Sequence, residues 1–505
     1  MNSQRTADYR VVAGSDQQFA EPRAQFERMV SWLGSQEAAG ATHSELEEEL
    51  DAKGRELLRQ LFQDHLRLRA LRERRQPAVW GSDGEVRTHV RSCERPLMTM
   101  FGPVRVERLR YGQRGATSLF PADLALNLPL EEYSHGLRRR AAELAAKVSY
   151  EETVRCIGEH TGGKVPPRQA QELVRRAARD FDAFYAERSA PREEPTEDLL
   201  VLSLDGKGVV MRPDHLREAT RKAAQQSAHK LGRRLSKGEK RNRKRMATVA
   251  AVYSIAPWSR APEEVMAELR PARGAGKKKR PHARDKRVWA SVEKNAEAVT
   301  RELFEEAQRR DPSHRRTWVV LVDGDREQIK RVRREAHRRG VEVDLVLDLI
   351  HVLEYLWKAA WCFFEEGDKA AERWVRERAT RVLEGRSSEV AGGIRRSATR
   401  RGLEARKRKG VDACANYLLA KRELLRYDAY LRRGLPIATG VIEGACRHLI
   451  KDRLDITGAR WGVAGAEAVL RLRALRSSGD FDDFWRFHLA HELQRNHLAR
   501  FADAA

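Results

Sequence analysis

Short apolar segments and helical patterns alternate between residues 199 and 348, and this alternation constrains the fold more than any other feature of the chain. The apolar segments have the length and β-branched content of strands. They are VLSLDGKGVVMR, ATVAAVYSIA, TWVVLVDG and VEVDLVLD. The helical segments are KNAEAVTRELFEEAQRR and REQIKRVRREAHRRG. Such alternation predicts a mixed β-sheet with helices packed on its faces.

Three acidic residues stand at the boundaries of apolar segments. Asp205 closes the run LLVLSLD, Asp323 closes TWVVLVD, and Glu443 begins an amphipathic helix more than a hundred residues later. Carboxylates brought together at strand ends can hold two divalent cations and cleave a phosphodiester bond. An Asp before Gly is also a common turn residue, and a Glu in a first helical turn is favoured by the helix dipole. Asp325 competes with Asp323 on the same strand face, but the apolar run ends at Asp323.

The charge balance indicates a polyanionic partner. The chain has 505 residues with 98 Lys and Arg against 74 Asp and Glu, which gives a formal net charge of +24. Lys and Arg that neutralise phosphates release counterions, so DNA or RNA is the expected partner. A ribosomal or membrane-surface protein is the alternative. The length predicts two to four domains.

Several function classes are disfavoured by what the sequence lacks. No apolar stretch is long enough to span a bilayer, and the first residues have no signal-peptide pattern. The cysteines are scattered without a CxxC pair, which disfavours a zinc finger or a disulfide framework. They are Cys93, Cys156, Cys362, Cys414 and Cys446. A cytoplasmic, nucleoid-associated protein with reduced thiols is expected, with no membrane partner.

The N-terminal part divides into three regions according to the spacing of its apolar residues. Residues 1–80 are helical in pattern, and an apolar stripe of Leu57, Leu58, Leu61 and Leu66 indicates packing or dimerisation. Residues 81–120 alternate about Gly102-Pro103, which predicts a β-hairpin. Its second strand carries arginines that either face solvent or contact phosphates. These are Arg105, Arg108 and Arg110.

Residues 121–190 predict short helices. Ser149 is a candidate N-cap, and the turn Gly162-Gly163 precedes a helix that begins near Pro167. Two helices about a glycine turn suggest a helix-turn-helix, with Arg168 and Gln169 positioned to contact DNA bases. Packing of three helices without DNA contact is the alternative. The Pro-rich, charged segment 187–198 predicts a linker.

Two basic runs flank the second strand, Lys230–Arg245 and Lys277–Arg287, and include Arg245 and Lys278. Such runs are usually solvated loops, but beside a phosphodiester site they favour contact with the DNA backbone.

A long helical segment follows the last predicted strand. Asp348 and His351 lie three residues apart and share a helix face, where they are either auxiliary site residues or a helix cap and a packed histidine. About 120 residues separate Asp323 from Glu443, which predicts a domain-sized insertion at 349–436.

Four motifs carry a family resemblance. The segments LSLDGKGVVMRPDHLR, VVLVDGD, DLIHVLEYLWKAAW and TGVIEGACRHLIKDRLDITGARWG resemble DDE transposases of the ISKra group of bacterial insertion sequences, which are distantly similar to Mutator-like transposases. The resemblance covers most of the chain, and the last segment is its most specific part.

The resemblance implies a multidomain α+β protein: a helical N-terminal DNA-binding region, then a ribonuclease-H-like core at 196–348 and 437–505 with the helical insertion between. It makes Asp205, Asp323 and Glu443 the catalytic, metal-binding carboxylates. Asp348 and His351 match an auxiliary (C/D)xxH signature. Further residues implied to position DNA near the site are Arg447, Lys451 and Arg453.

The expected activity is cleavage at transposon ends and strand transfer into target DNA. Two Mg²⁺ ions, with Mn²⁺ able to substitute, are the expected cofactors. Double-stranded DNA is the expected partner, and a homo-oligomer is expected in the synaptic complex. The alternatives are a structure-selective nuclease on the same fold and a domesticated, non-catalytic DNA-binding protein.

Overall fold

The computed structural model describes residues 15–188, 197–226, 239–240, 242–269, 280–456 and 458–502. These residues form a mixed α and β structure that divides into two compact units. The first unit combines residues 15–187 with residues 480–502, and the second comprises the described residues from 188 to 479. Among the described helices, none is both long and apolar enough to cross a membrane.

The first unit begins with helices, as the period predicted, and continues through a small sheet into a second helical group. Its elements are α1 Ala20–Leu33, α2 Gln36–Gly40, α3 His43–Arg72, β1 Val79–Trp80, β2 Val86–Arg87, β3 His89–Thr99, β4 Gly102–Gln113, β5 Ala116–Leu119, α4 Pro121–Leu126, α5 His135–Ala145, α6 Tyr150–His160, α7 Pro167–Ala177 and α8 Phe181–Glu187.

The predicted hairpin is confirmed. Strands β3 and β4 pair antiparallel, with Thr99 opposite Gly102, and β5 extends the sheet. Inward residues of β4 such as Val104 and Val106 are buried with Leu66 of α3. Arg108 departs from both sequence readings, because it is buried and pairs with Asp123 at 2.8 Å.

Helices α5, α6 and α7 pack against one another around Leu137, Ile157 and Leu173, which are all buried. Ser149 caps α6 as predicted, since its side chain accepts a hydrogen bond from the Glu152 amide at 3.1 Å. The turn between α6 and α7 lies against the hairpin. A Cβ on Gly162 would come within 2.3 Å of the Phe101 carbonyl oxygen, so this position requires glycine.

The second unit contains a five-stranded mixed sheet, as the alternation predicted. Its strands are β6 Leu199–Val210, β7 Lys244–Ile255, β8 Arg284–Ser291, β9 Trp318–Val322 and β10 Val343–Leu347. The spatial order is β10-β9-β6-β7-β8. Strands β6, β7 and β8 pair antiparallel, whereas β9 pairs with β6 in parallel and β10 pairs with β9 in parallel. The strands are held by burial, and every residue of β9 is buried.

Helices cover this sheet and fill the predicted insertion. They are α9 Glu218–Gln226, α10 Pro262–Leu269, α11 Ala296–Arg310, α12 Arg326–Arg339, α13 Leu349–Ala360, α14 Lys369–Leu383, α15 Ser387–Arg400, α16 Lys409–Ala420, α17 Tyr427–Arg432, α18 Gly440–Ala445, α19 Asp452–Leu454 and α20 Val463–Ser478. A π-helical segment, Cys446–Lys451, connects α18 to α19. Helix α11 packs on β7, and α20 packs on β8.

The structure differs from the sequence reading at two places. Arg284 and Arg287 belong to strand β8 rather than to a basic loop, and Arg287 is buried against Glu306 at 2.6 Å. The C-terminal helix, Phe481–Asn496, belongs to the first unit. The sequence assignment had grouped residues 437–505 with the sheet-containing core, because the helical pattern does not tell which unit a helix joins.

Candidate active site

Asp205 and Asp323 lie at the same level on neighbouring parallel strands. The β6–β9 pairing aligns Leu202 with Val320 and ends where Ser203 aligns with Leu321, and Asp205 and Asp323 each stand two residues beyond this last pair. Side chains two residues apart share a face of a sheet. Asp205 itself lies within β6, because antiparallel pairing with β7 continues to Val210. The parallel contact, and not the strand, is what ends just before Asp205.

Gln328 bridges the two strands where the parallel pairing stops. Its amide nitrogen donates to the Leu204 carbonyl at 3.0 Å, and its amide oxygen accepts from the Asp323 backbone N–H at 3.2 Å. The carboxamide therefore stands between backbone groups of adjacent strands and satisfies both. Gln328 is 6% exposed, so packing fixes its position. It sets the spacing between the segments that carry Asp205 and Asp323.

Glu443 is brought to the same edge of the sheet by α18, which packs against β6 and β7. Cys446 follows one turn after Glu443, and its thiol donates to the Asp205 carboxylate at 3.0 Å. Burial, and then the negative charges of Asp205 and Glu443, raise the pKa of the Cys446 thiol well above its ordinary value. Cys446 is therefore a neutral donor to Asp205, and Glu443 is exposed beside it.

Backbone contacts fix the segment around Glu443 at both ends. Asp348 is 1% exposed and accepts hydrogen bonds from Thr439, whose hydroxyl lies at 2.6 Å and whose N–H lies at 3.3 Å. At the other end, Trp461 donates its N–H to the Val210 carbonyl at 3.1 Å and accepts from the Arg212 N–H. These contacts hold one end of the segment at the end of β10 and the other at the end of β6.

Asp348 and His351 lie beside this site. Asp348 follows β10, donates its N–H to the Val322 carbonyl at 2.9 Å, and caps α13. The imidazole Nδ1 of His351 lies 3.0 Å from the Asp348 carboxylate. That hydrogen bond, followed by the charges of Asp348 and Asp323, raises the pKa of His351 despite partial burial. Asp348 is therefore a helix cap, as one of the two alternatives predicted, and the partly exposed His351 lies within electrostatic range of Asp323.

The three carboxylates form no ion pair with any described Lys or Arg. Asp205 accepts from the Gly206 N–H at 2.6 Å and from Cys446, and Asp323 accepts from the Asp325 N–H at 2.8 Å. In a chain of net charge +24, these carboxylates lie together without a described basic side chain in direct ion-pair contact, although Lys421 lies within electrostatic range of Asp323. Carboxylate oxygens are the ligands that Mg²⁺ prefers, so the donor set fits a divalent cation.

The carboxylate oxygens of Asp205, Asp323 and Glu443 are not all within 4.8 Å of one another. Within the described part of the chain, the one group of three potential ligands that close is Asp180, His488 and Glu492. Arg495 binds Asp180 at 2.9 Å and Glu492 at 2.6 Å. Arg138 also binds Glu492, at 2.6 Å. Because two guanidinium groups already neutralise these carboxylates, the cluster is an ion-pair network rather than a cation site.

Asp325, the competitor of Asp323, caps a helix. Its side chain accepts a hydrogen bond from the Gln328 N–H at 2.7 Å, which is the contact of an N-cap residue at the start of α12. Asp323 directly follows β9 and lies nearer to Asp205 in the strand register. The structure therefore identifies Asp325 as the cap of α12.

The residues proposed to position DNA fall into different environments. Arg447 and Lys451 are exposed on the π-helical segment, and Arg447 pairs with Asp452 at 3.6 Å. The expectation that Arg453 lies on the surface and positions DNA is wrong. This residue is 2% exposed, and its guanidinium lies over the Trp461 ring at 4.9 Å. A buried arginine stacked on tryptophan supports the packing of this segment rather than a surface contact with DNA.

Arg245 also has a structural role. Its Nε donates to the Val292 carbonyl at 2.8 Å, which ties the start of β7 to the end of β8. Lys278 lies outside the described residues. In the first unit, Arg168 and Gln169 are exposed in the first turn of α7, where a base-contacting pair was expected.

Sequence reasoning missed four residues that shape the site: Gln328, Thr439, Cys446 and Tyr417. The Tyr417 hydroxyl donates to the Asp323 carbonyl at 3.1 Å, and its ring stacks on Tyr355 at 4.0 Å between centroids. A contact across nearly a hundred residues leaves no local signal. Of the four residues, only Cys446 had a local sequence signal, because its spacing of three residues from Glu443 places both side chains on one helix face.

A comparison of the chain with models of known protein families found no match, and a comparison with curated proteins found none either. Function is therefore inferred from the chemistry of the site itself.

Proposed function

We propose that the chain is a DDE-type transposase that cleaves DNA at transposon ends and joins them to target DNA. The observation that carries this proposal is the gathering of Asp205, Asp323 and Glu443 at one end of the sheet, where no Lys or Arg of the described part of the chain pairs with them. Asp205 and Asp323 each lie two residues beyond the last aligned pair of β6 and β9, and Glu443 lies one turn before Cys446, whose thiol binds Asp205. Carboxylates in this arrangement suit phosphoryl transfer assisted by two divalent cations.

The sheet supports a ribonuclease-H-like core, as the family resemblance implies. Such cores have three antiparallel strands continued on one side by two parallel strands, and the order β10-β9-β6-β7-β8 agrees with that arrangement. The first acidic residue lies on the first strand and the second follows the fourth strand. The last lies on a helix after the helical insertion. This arrangement is the one that the family resemblance implies, and it supports the proposal.

Asp205, Asp323 and Glu443 are the residues that would hold two Mg²⁺ ions. When bound, these ions supply Lewis-acid stabilisation of the phosphate and activate a water or a DNA 3′-hydroxyl as nucleophile. Gln328 and Cys446 orient the segments that carry the ligands, as partners of metal ligands generally do.

Other residues of the chain would bind and align the DNA. The insertion exposes basic side chains near the turn after α15, and Lys451 and Arg447 lie one to two turns beyond Glu443. The basic set on the insertion is Arg396, Arg400, Arg406 and Lys407. Contacts of this kind with phosphates position a duplex without reading its sequence. A duplex held in this way would keep a DNA 3′-hydroxyl oriented toward the target phosphate, and such positioning lowers the barrier to the reaction.

A strand-transfer assay tests the proposal. The full chain, Mg²⁺ and DNA ends from the element's own flanks are incubated with a supercoiled target plasmid. Joined products that require Mg²⁺ support a transposase. Cuts without joined products indicate the alternative of a structure-selective nuclease, and DNA binding without either product indicates a non-catalytic protein.

We expect His351→Ala to slow strand transfer by about tenfold to a hundredfold, the range found for residues that orient metal ligands. DNA affinity should change little. The reason is that the imidazole binds the Asp348 carboxylate and lies within electrostatic range of Asp323. Rates of joining and equilibrium binding would be measured on the same DNA. His337→Ala, at an exposed histidine of α12, is the control, and equal effects of the two substitutions would return His351 to an ordinary surface role.

Gln328→Met is expected to impair the metal site by removing the bridge between strands. The substitution keeps side-chain length but leaves the Leu204 carbonyl and the Asp323 N–H without their partner. Each buried group left unsatisfied costs about 1–3 kcal/mol. The spacing of the carboxylates should relax, so a higher Mg²⁺ concentration should be needed for half-maximal cleavage.

The matched control for this variant is Gln308→Met. Gln308 also donates to a backbone carbonyl, that of Pro312 at 3.0 Å, but it lies near the other end of β9. An unchanged Mg²⁺ requirement in Gln328→Met, with folding intact, would show that the bridge does not control the site.

A further inference from the structure

Three polar side chains follow one another on a single face of strand β6. Successive residues of a strand point to opposite faces, so Ser203, Asp205 and Lys207 share a face, and every other residue of β6 is apolar or glycine. Ser203 is 1% exposed, and its hydroxyl has no hydrogen-bond partner in the described part of the chain. A buried polar group without a partner is costly. The polarity of this face therefore indicates contact with a polar ligand rather than packing of the strand.

Lys207 lies on the covered face of β6. In the antiparallel pairing with β7 it stands opposite Ala247, which is fully buried. The π-helical segment packs over this face, where the Cys446 thiol binds Asp205. The other face is open here, because Met246, the neighbour of Ala247 on β7, is 53% exposed. Lysine is seldom drawn toward a covered face without a partner, so the position of Lys207 calls for one.

Among the described residues, none supplies that partner. The Lys207 ammonium makes no hydrogen bond or ion pair with them, although it lies within electrostatic range of the Cys446 thiol. The nearest carboxylate on its face, that of Asp205, accepts its hydrogen bonds from that thiol and from the Gly206 N–H at 2.6 Å. An ammonium group donates hydrogen bonds and has no acceptor, so it cannot bind a cation. The ligand that suits Lys207 is therefore an anion.

We propose that Lys207 binds a phosphate oxygen of the DNA strand at the cleavage site, within one nucleotide of the bond that is broken. The inference rests on the proposed function, because the cations held by Asp205, Asp323 and Glu443 would bring a phosphate to this place. Two residues of a strand span about 7 Å, so Lys207 stands beside Asp205 rather than among the proposed cation ligands. A lysine binds phosphate as a point charge on a flexible stem. Its role is to position the strand on which the carboxylates would act.

A binding experiment with single neutral phosphates tests this contact. Duplexes that carry the element's end, each with one methylphosphonate in place of a phosphate near the cleavage site, are titrated with the full chain at fixed salt and without Mg²⁺. At the position that Lys207 contacts, the neutral group should weaken wild-type binding about tenfold, the scale of one hydrogen bond to a charged group. In Lys207→Met that position should lose its penalty while other positions keep theirs. Lys207→Arg should retain most of the penalty, because the charge remains.

Lys244→Met is the matched control. Lys244 is exposed on β7 opposite Val210, which places it on the other face of the same two strands, so its variant should keep the penalty that Lys207→Met loses. Incubation of the same end with Mg²⁺ separates this inference from the proposed function. Mg²⁺-dependent cleavage, with identical penalties at every position in the wild-type chain and Lys207→Met, would overturn the role of Lys207 and leave the function standing. A wild-type chain that neither cleaves the end nor shows a penalty at any position would overturn both.

Discussion

Asp205→Asn, Asp323→Asn and Glu443→Gln are each expected to reduce cleavage and strand transfer by roughly a thousandfold or more, the scale set by losing a principal electrostatic contribution to a transition state. Each substitution removes a negative charge from a proposed cation ligand with little change in volume. DNA binding should be nearly unaffected, because the basic surfaces remain. Cleavage, joining and binding would be measured on one end-DNA substrate at fixed salt and Mg²⁺ concentrations.

Asp325→Asn provides a matched control for this prediction. Asp325 lies two residues from Asp323 and caps α12 through the Gln328 N–H. Asn caps a helix about as well as Asp, so the substitution removes a nearby charge and keeps the local structure. Near-normal cleavage by Asp325→Asn beside inactive Asp323→Asn would support the assignment. Wild-type cleavage by any of the three carboxylate variants would remove that residue from the site.

The sheet and two of its acidic residues could be predicted because their signals are local. Apolar runs such as WVVLV are short, β-branched and bounded by turn residues, so they predict buried strands. Strand β8 was missed because its first residues, RDKR, are charged. Those charges are accommodated by partners distant in sequence, and Arg287 pairs with Glu306 of α11.

The fine geometry of the site could not be predicted, because it depends on contacts between distant segments. The bridge made by Gln328 requires two strands to part just after Ser203 and Leu321. The hydrogen bonds from Thr439 to Asp348 require the end of the insertion to return to the end of β10. Arg453 was expected on the surface for the same reason, since its burial against Trp461 follows only from the tertiary packing.

The C-terminal helix illustrates a related limit, and it carries the second large expected effect. Arg138, on α5, is fully buried and binds Glu492 at 2.6 Å, His488 at 3.2 Å and Glu131. A guanidinium can only donate, so His488 accepts at Nε2 and its Nδ1 donates to Asp180 at 2.6 Å. This network joins the C-terminal helix to the helices before the linker.

Arg138→Met is expected to destabilise the first unit by about 3–5 kcal/mol, because removal of one partner leaves buried carboxylates without compensating charge. Amide hydrogen exchange in α5 and the C-terminal helix of the full chain would measure the effect locally. Arg140→Met is the control on the same helix, where a half-exposed side chain pairs with Glu143 at 3.6 Å. Such a surface pair contributes at most about 1 kcal/mol. Similar protection in both variants would contradict the prediction.

The same network predicts how the stability of the first unit depends on pH. Burial alone would raise the pKa of Glu492, but Arg138 and Arg495 outweigh it and lower the pKa from 4.5 to about 2. Burial likewise opposes ionisation of Asp180, and the hydrogen bonds from His488 and Arg495 lower its pKa overall. A carboxyl group with a lowered folded-state pKa stabilises the fold above its unfolded pKa and loses that contribution as the pH falls. Exchange protection of the C-terminal helix should therefore decline between about pH 4.5 and pH 2 in the wild-type protein, and this decline should be smaller in Arg138→Met, because the lost guanidinium no longer favours the ionised Glu492.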